Sequence, residues 1–118
     1  MKGNAMEVGE AYLRALSEKD LKQIESYVHP EIKFKSPLVE CTGAARFLEA
    51  VGNLTSRMRS TRLRAKFSSE NQAMFVYDVV FGPPIGVSRA ANLMTVEGEK
   101  IREMELIFDA RPFAAMGM

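Results

Sequence analysis

Thr61-Arg62-Leu63-Arg64-Ala65-Lys66-Phe67-Ser68 is the stretch at which the hydrophobic period of this chain changes. Leu63, Ala65 and Phe67 alternate with Arg62, Arg64 and Lys66, and a period of two predicts a half-buried strand. Before this point the apolar residues recur at helical spacing; after it they alternate. Helices first and hairpins afterwards give an α+β fold with segregated elements, not alternating βαβ units.

Upstream, Val8, Tyr12, Ala15 and Leu16 form one helical stripe, and Asn4 with Glu7 resembles a capping box. Asp20 and Gln23 repeat that signature before Leu21, Ile24, Tyr27 and Val28, predicting a second short helix ended by His29-Pro30. Ile32 and Phe34 suggest a short strand that stops at Pro37. Thr42 is the expected cap of a third helix with Phe47, Val51, Leu54 and Met58 on its apolar face. Arg46, Glu49 and Asn53 would face water.

Downstream, a turn over 68–72 leads into a strand over 73–81 that is apolar on nearly both faces and reads as central. Gly82-Pro83-Pro84 breaks it. A strand over 87–96, a tight turn at Glu97-Gly98-Glu99 and a last strand over 100–109 complete the pattern. No repeat, low-complexity tract or linker interrupts it.

The 118 residues suit a single domain spanning 1–118, with an ordinary soluble composition of 47% hydrophobic and 26% charged residues. Sixteen Lys and Arg against fifteen Asp and Glu leave a net charge of +1, which favours neither a polyanion partner nor an acidic surface role. Arg57, Arg59, Arg62, Arg64 and Lys66 form the strongest charge feature. Without interleaved aromatics or net positive charge they read as a solvated outer face, so no nucleic-acid partner is expected. One cysteine, Cys41, cannot close an internal disulfide, and one histidine, His29, leaves too few ligands for a Cys/His zinc site. No apolar run suits a membrane span and no signal-peptide core opens the chain. The expectation is a cytoplasmic protein needing no metal or cofactor.

Two stretches carry a family resemblance: Tyr12-Leu-Arg-Ala-Leu-Ser-Glu-Lys-Asp20-Leu21, and Tyr27-Val-His-Pro-Glu-Ile-Lys-Phe-Lys-Ser36-Pro37. A helix, an Asp-Leu restart, His-Pro-Glu and an extended segment ending in proline follow in that order. Later, 71–81 supplies a matching central strand. In this the chain resembles the nuclear-transport-factor-2-like superfamily, and within it the ketosteroid isomerase and SnoaL-like polyketide cyclase branch. The resemblance implies a cone-shaped roll: three N-terminal helices packed on a strongly bent, mainly antiparallel sheet around an apolar pocket. It also implies a homodimer through the outer sheet face.

Carried onto this sequence, the isomerase site is partly kept. Tyr12 falls at the position of the oxyanion-hole tyrosine. Ser36 stands where the general-base aspartate precedes the proline. Asn92 replaces the protonated aspartic acid that also donates to the oxyanion. An isolated serine hydroxyl is not a base at neutral pH, whereas an asparagine amide can donate to an oxyanion without pKa tuning. Tyr12 and Asn92 would form a neutral clamp that lacks its base, so steroid isomerisation by the family mechanism is not expected.

Each candidate has a plainer reading. Tyr12 lies in an apolar stripe, where a tyrosine hydroxyl is commonly satisfied within the core. Asn92 shares a strand face with Ala90, Met94 and Val96, so either a neighbouring group or a ligand must satisfy its amide. Ser36 suits a turn hydroxyl. As substitute bases, Asp78, His29, Asp109 and Glu40 are open, with Asp78 in a strand apolar on both faces. The expected substrate-contacting residues are Tyr27, Phe34, Met58, Phe75, Tyr77, Met94, Met104, Leu106 and Phe108, with Leu16, Val51 and Leu54 beside them. Eight methionines suit an adaptable interior.

The leading functional expectation is an isomerase, cyclase or lyase acting on a hydrophobic carbonyl-bearing or polycyclic small molecule. A non-catalytic binder of an apolar small molecule and a protein-interaction module are the alternatives, because fold alone does not choose among them.

Overall fold

The computed structural model describes residues 4–114. Met1, Met116 and Met118 lie outside them, as do the first residues of the stretch read for a signal peptide. Asn4 caps the first helix, α1 (Ala5–Ser17), its side chain accepting from the Glu7 amide at 2.7 Å. Asp20 caps α2 (Leu21–Ser26) in the same way through the Gln23 amide at 3.1 Å.

His29-Pro30 does not end α2; it lies inside β1 (Val28–Lys35). Proline is tolerated near the start of a strand, where its missing N–H costs little. Thr42 is likewise not a helix cap but the last residue of β2 (Glu40–Thr42), paired antiparallel to β1. Gly43, at φ 101°, precedes α3 (Ala44–Arg57), and no side chain caps that end. Met58 is not on α3: it opens β3 (Met58–Ser69), which is followed by β4 (Gln72–Phe81), β5 (Val87–Glu97) and β6 (Lys100–Ile107). A short α4 (Arg111–Ala114) closes the described chain.

The strands form one open sheet in the order β2-β1-β6-β5-β4-β3. All neighbours are antiparallel except β1 and β6, which run parallel. Register shifts interrupt β3 against β4 twice, β5 against β6 once and β1 against β6 once, and such bulges bend a sheet. At the β5–β6 turn Gly98 and Glu99 take φ of 58° and 68°, the left-handed pair that a two-residue hairpin needs.

The helices cover the concave face, and the core lies between them. Phe75 and Met94 on neighbouring strands pack under Gly9, where an added Cβ would collide with the Phe75 ring. The half-buried reading of β3 does not hold: Leu63 is 44% exposed and Phe67 63%. β3 is an edge strand, and a register shift between Leu63 and Ala65 sets Leu63 opposite the inward Tyr77 but Phe67 opposite the outward Met74, so its alternation is not matched by burial.

Candidate functional site

Between α1, α3 and the concave face lies a cavity of about 390 Å³. Its walls come from every layer: Tyr12 and Leu16 on α1, Val51 and Leu54 on α3, Phe34 on β1, Tyr77 and Val79 on β4, Ala90 and Asn92 on β5, Met104 and Leu106 on β6. Phe108 and Phe113 close one side, their rings edge-to-face at 5.2 Å, and Phe113 stands in the same way against Phe81. Most of this surface is apolar carbon.

Among the described residues seven polar side chains line the cavity, Tyr12, Ser36, Asn53, Arg57, Tyr77, Ser88 and Asn92, and of these Tyr12, Tyr77 and Asn92 are buried. Asn92 Nδ2 donates to the Tyr77 hydroxyl at 3.2 Å. Asn92 Oδ1 is fully buried and has no partner, although almost every buried polar atom finds one. The Tyr12 hydroxyl makes no hydrogen bond among the described residues. Burial pushes the Tyr12 phenol well above its ordinary pKa, with the neighbouring Tyr77 adding to the rise. Burial raises Tyr77 to about 12, and the Asn92 hydrogen bond offsets part of that shift. Both phenols are therefore neutral O–H donors at neutral pH, not bases.

Strand parity places these groups together. Tyr77 and Asn92 take inward positions on β4 and β5, where Tyr77 opposes Ala90 and Phe75 opposes Asn92. Tyr12 reaches the same space because the α1 stripe faces the sheet.

Ser36 borders the cavity, but its hydroxyl works within a turn. Oγ accepts from the Leu38 and Val39 amides at 3.2 and 3.0 Å and lies 3.2 Å from the Val39 carbonyl. A serine so engaged supplies no base.

Asp78 is corrected as a cavity residue: it occupies the opposite face of β4. Arg89 grips it with Nε at 2.7 Å and Nη2 at 3.1 Å, and Arg64 lies 3.9 Å away. The Arg89 hydrogen bond holds the carboxyl below the usual range, more than its desolvation raises it. This pairing is what admits a carboxylate to a strand that is otherwise apolar.

The other acid and base candidates also lie elsewhere. His29 Nδ1 accepts from the Glu31 amide at 3.0 Å, and the ring adjoins Arg102. Asp109 binds the Arg111 guanidinium and amide, which turns the chain into α4. Glu40 is exposed on β2. No carboxylate or imidazole lines the cavity among the described residues.

Of the expected contact residues, Phe34, Tyr77, Met104, Leu106 and Phe108 line it. Met58, Phe75 and Met94 do not: they are buried where helices cover the sheet directly. Tyr27 stands at the α2–β1 junction, its carbonyl accepting from the Ile101 amide at 2.8 Å. Phe81, Phe113 and Arg57 were missed by sequence reasoning. Inward parity on β4 gave a signal for Phe81; nothing local marked Phe113 or Arg57.

The SnoaL-like domain family matches residues 9–104, and the chain belongs to that family. Its fold is the nuclear-transport-factor-2-like fold. A protein from Kribbella flavida is 24% identical, superposes with a TM-score of 0.89, and shares 94% of this chain and 91% of its own. A Shewanella denitrificans protein described as a SnoaL-like polyketide cyclase is 9% identical over 94% of each chain, with a TM-score of 0.77. An LEH-like epoxide hydrolase from M. tuberculosis is 14% identical over 96% of this chain and 94% of that one, with a TM-score of 0.74. No curated protein matches the chain. Among the described residues no helix is long and apolar enough to cross a membrane.

Proposed function

We propose that the protein is a small-molecule enzyme of isomerase, cyclase or lyase type. Its cavity would bind a hydrophobic, oxygen-bearing or polycyclic substrate. The observation that carries this reading is the convergence of Tyr12, Tyr77 and Asn92 on one wall of an otherwise apolar cavity. Two neutral phenols on an apolar wall are donors placed where negative charge develops on a carbonyl oxygen, and they need no reorganisation when it does. The volume falls at the small end of the roughly 300–1,000 Å³ typical of ligand sites.

With no carboxylate or imidazole on the wall, the chemistry that fits is electrophilic. The tyrosines polarise an oxygen, and the proton leaves from a carbon acidic enough to give it to water. That same absence favours a second reading, a binder without turnover.

A thermal-shift screen of planar phenols and polycyclic ketones tests the site on the native protein, Tyr12→Phe and Asn92→Ala, because a ligand of the native state alone raises the midpoint. Deuterium exchange next to the carbonyl of bound ketones then separates the two readings. Native acceleration that Tyr12→Phe lowers about a hundred- to a thousandfold supports the enzyme. Binding without exchange supports the binder, and no shift by any compound rejects the site.

We also propose a homodimer through the outer face of the sheet. Phe67, Val87 and Ile107 project there, 63%, 64% and 51% exposed. Light scattering on the native protein and on Phe67→Lys tests it; a monomer at micromolar concentration rejects it. A cytoplasmic location remains part of the proposal.

A further inference from the structure

The polar atoms of the cavity specify more than an oxygen. Asn92 is 1% exposed, and its Nδ2 is committed to the Tyr77 hydroxyl while its Oδ1 has no donor. Accepting that bond leaves the Tyr77 proton free, and the Tyr12 hydroxyl is unengaged among the described residues. The inner wall therefore offers two O–H donors and one unfilled acceptor. A ketone can take the donors but has no hydrogen for Asn92 Oδ1. A hydroxyl does both, since it carries one donor and two acceptor lone pairs.

The outer wall is different. Arg57, in the last turn of α3, is the one charged residue lining the cavity among the described residues. It forms no ion pair among them, nor do Arg14, Arg46, Arg59 and Arg62, but of these arginines only Arg57 lines the cavity. The α3 C-terminus favours a cation at this position in any case, but does not occupy the guanidinium fork, which matches a carboxylate in two-point geometry. The rest of the lining is mainly apolar, with Phe34, Leu54, Met104, Leu106 and Phe108 among it, and includes the uncharged polar Ser36, Asn53 and Ser88.

We propose that the ligand of this cavity is a hydroxy acid: a compact apolar ring system with a hydroxyl against Tyr12, Tyr77 and Asn92 and a carboxylate against Arg57. This rests on the reading of the cavity as a small-molecule site. It narrows the ligand class from any oxygen-bearing polycycle to one that donates a hydrogen bond at its inner end, as a phenol or the enol of a carbonyl substrate does, and carries negative charge at its outer end.

Calorimetric titration with hydroxynaphthoic acid, methoxynaphthoic acid, naphthoic acid and naphthol tests it on the native protein, Asn92→Leu and Arg57→Gln. The hydroxy acid is expected to bind about tenfold or more tightly than each of the others. Asn92→Leu should abolish its advantage over methoxynaphthoic acid, while the advantage over naphthoic acid, carried by the two tyrosine donors, should remain. Arg57→Gln, at an exposed position that leaves the fold intact, should abolish its advantage over naphthol. That advantage should also shrink as salt is raised. Methoxynaphthoic acid or naphthol binding as tightly as the hydroxy acid overturns the proposal. If the simpler compounds bind, Tyr12→Phe weakens them and no hydroxy-acid preference appears, only this inference fails. If none of the four binds, the small-molecule site fails with it.

Discussion

Asn92 on β5 and Tyr77 on β4 hydrogen-bond to each other at 3.2 Å inside the cone, Nδ2 donating to the phenol oxygen, and the other amide atom is left without a partner. The pair sits on adjacent strands, both side chains facing inward, offset diagonally across the β4–β5 register. Each therefore fixes the other's position on the cavity wall.

Removing the Tyr77 hydroxyl alone should cost more than removing both members of this pair. Tyr77→Phe leaves the Asn92 amide with neither end satisfied, and a buried orphan of this kind costs about 1–3 kcal/mol. Asn92→Leu removes the orphan along with the bond and should be close to neutral. Tyr77→Phe with Asn92→Leu should recover most of the stability lost in Tyr77→Phe alone. Urea unfolding of the four proteins gives the cycle, and additive losses would contradict it.

Stability should fall at alkaline pH. Tyr77 ionises near its ordinary value of 10.0 when unfolded but only at about 12 when folded. Its contribution is complete below the lower value and is lost as pH rises from one to the other. At about 1.4 kcal/mol per unit the loss approaches roughly 2–3 kcal/mol. Tyr12 shifts in the same direction. Urea midpoints across this interval should decline, and less steeply in Tyr77→Phe.

Gly9 is where α1 comes closest to the sheet. A Cβ there would overlap the Phe75 ring, which is fully buried, and would crowd the Met94 sulfur at 3.3 Å. Gly9→Ala should destabilise by about 1–2 kcal/mol, overpacking outweighing the roughly 1 kcal/mol helix gain of alanine. A calorimetric midpoint at or above the native one would contradict this.

Asp78 should matter for acid stability and not for ligands. Its folded pKa lies below the ordinary 3.8 because Arg89 hydrogen-bonds the carboxylate. Its contribution is present above the unfolded value and is lost as pH falls through the folded one. Asp78→Asn should flatten the acid limb of the stability profile and leave cavity ligands binding as before. Weaker ligand binding in this variant would reopen a role for Asp78 in the site.

The helical caps were legible because they are local: Asn4 and Asp20 bond to amides three residues on, and no distant residue is needed. The inward face of β4 and β5 was legible from alternation, which placed Asn92 correctly. Parity failed for β3, where Leu63 and Phe67 alternate in sequence yet lie open, because alternation records neither that a strand is an edge nor that a bulge between Leu63 and Ala65 moves them to opposite faces. It gave no account of Asp78 either, whose presence depends on Arg89 across the ladder.

The sequence by itself determined the order of the main elements, though not β2 or α4, the sidedness of the central strands and the placing of Tyr12 and Asn92 on inward faces. Tertiary structure alone decided which inward residues are core and which are wall. Phe75 and Met94 lie under α1, where Gly9 lets the helix approach, and that part of the cone is filled. Tyr77, Ala90 and Asn92, farther along the same strands, face space that no helix fills. Periodicity says which way a side chain points; what it meets there depends on where the layers touch, and only packing in three dimensions sets that.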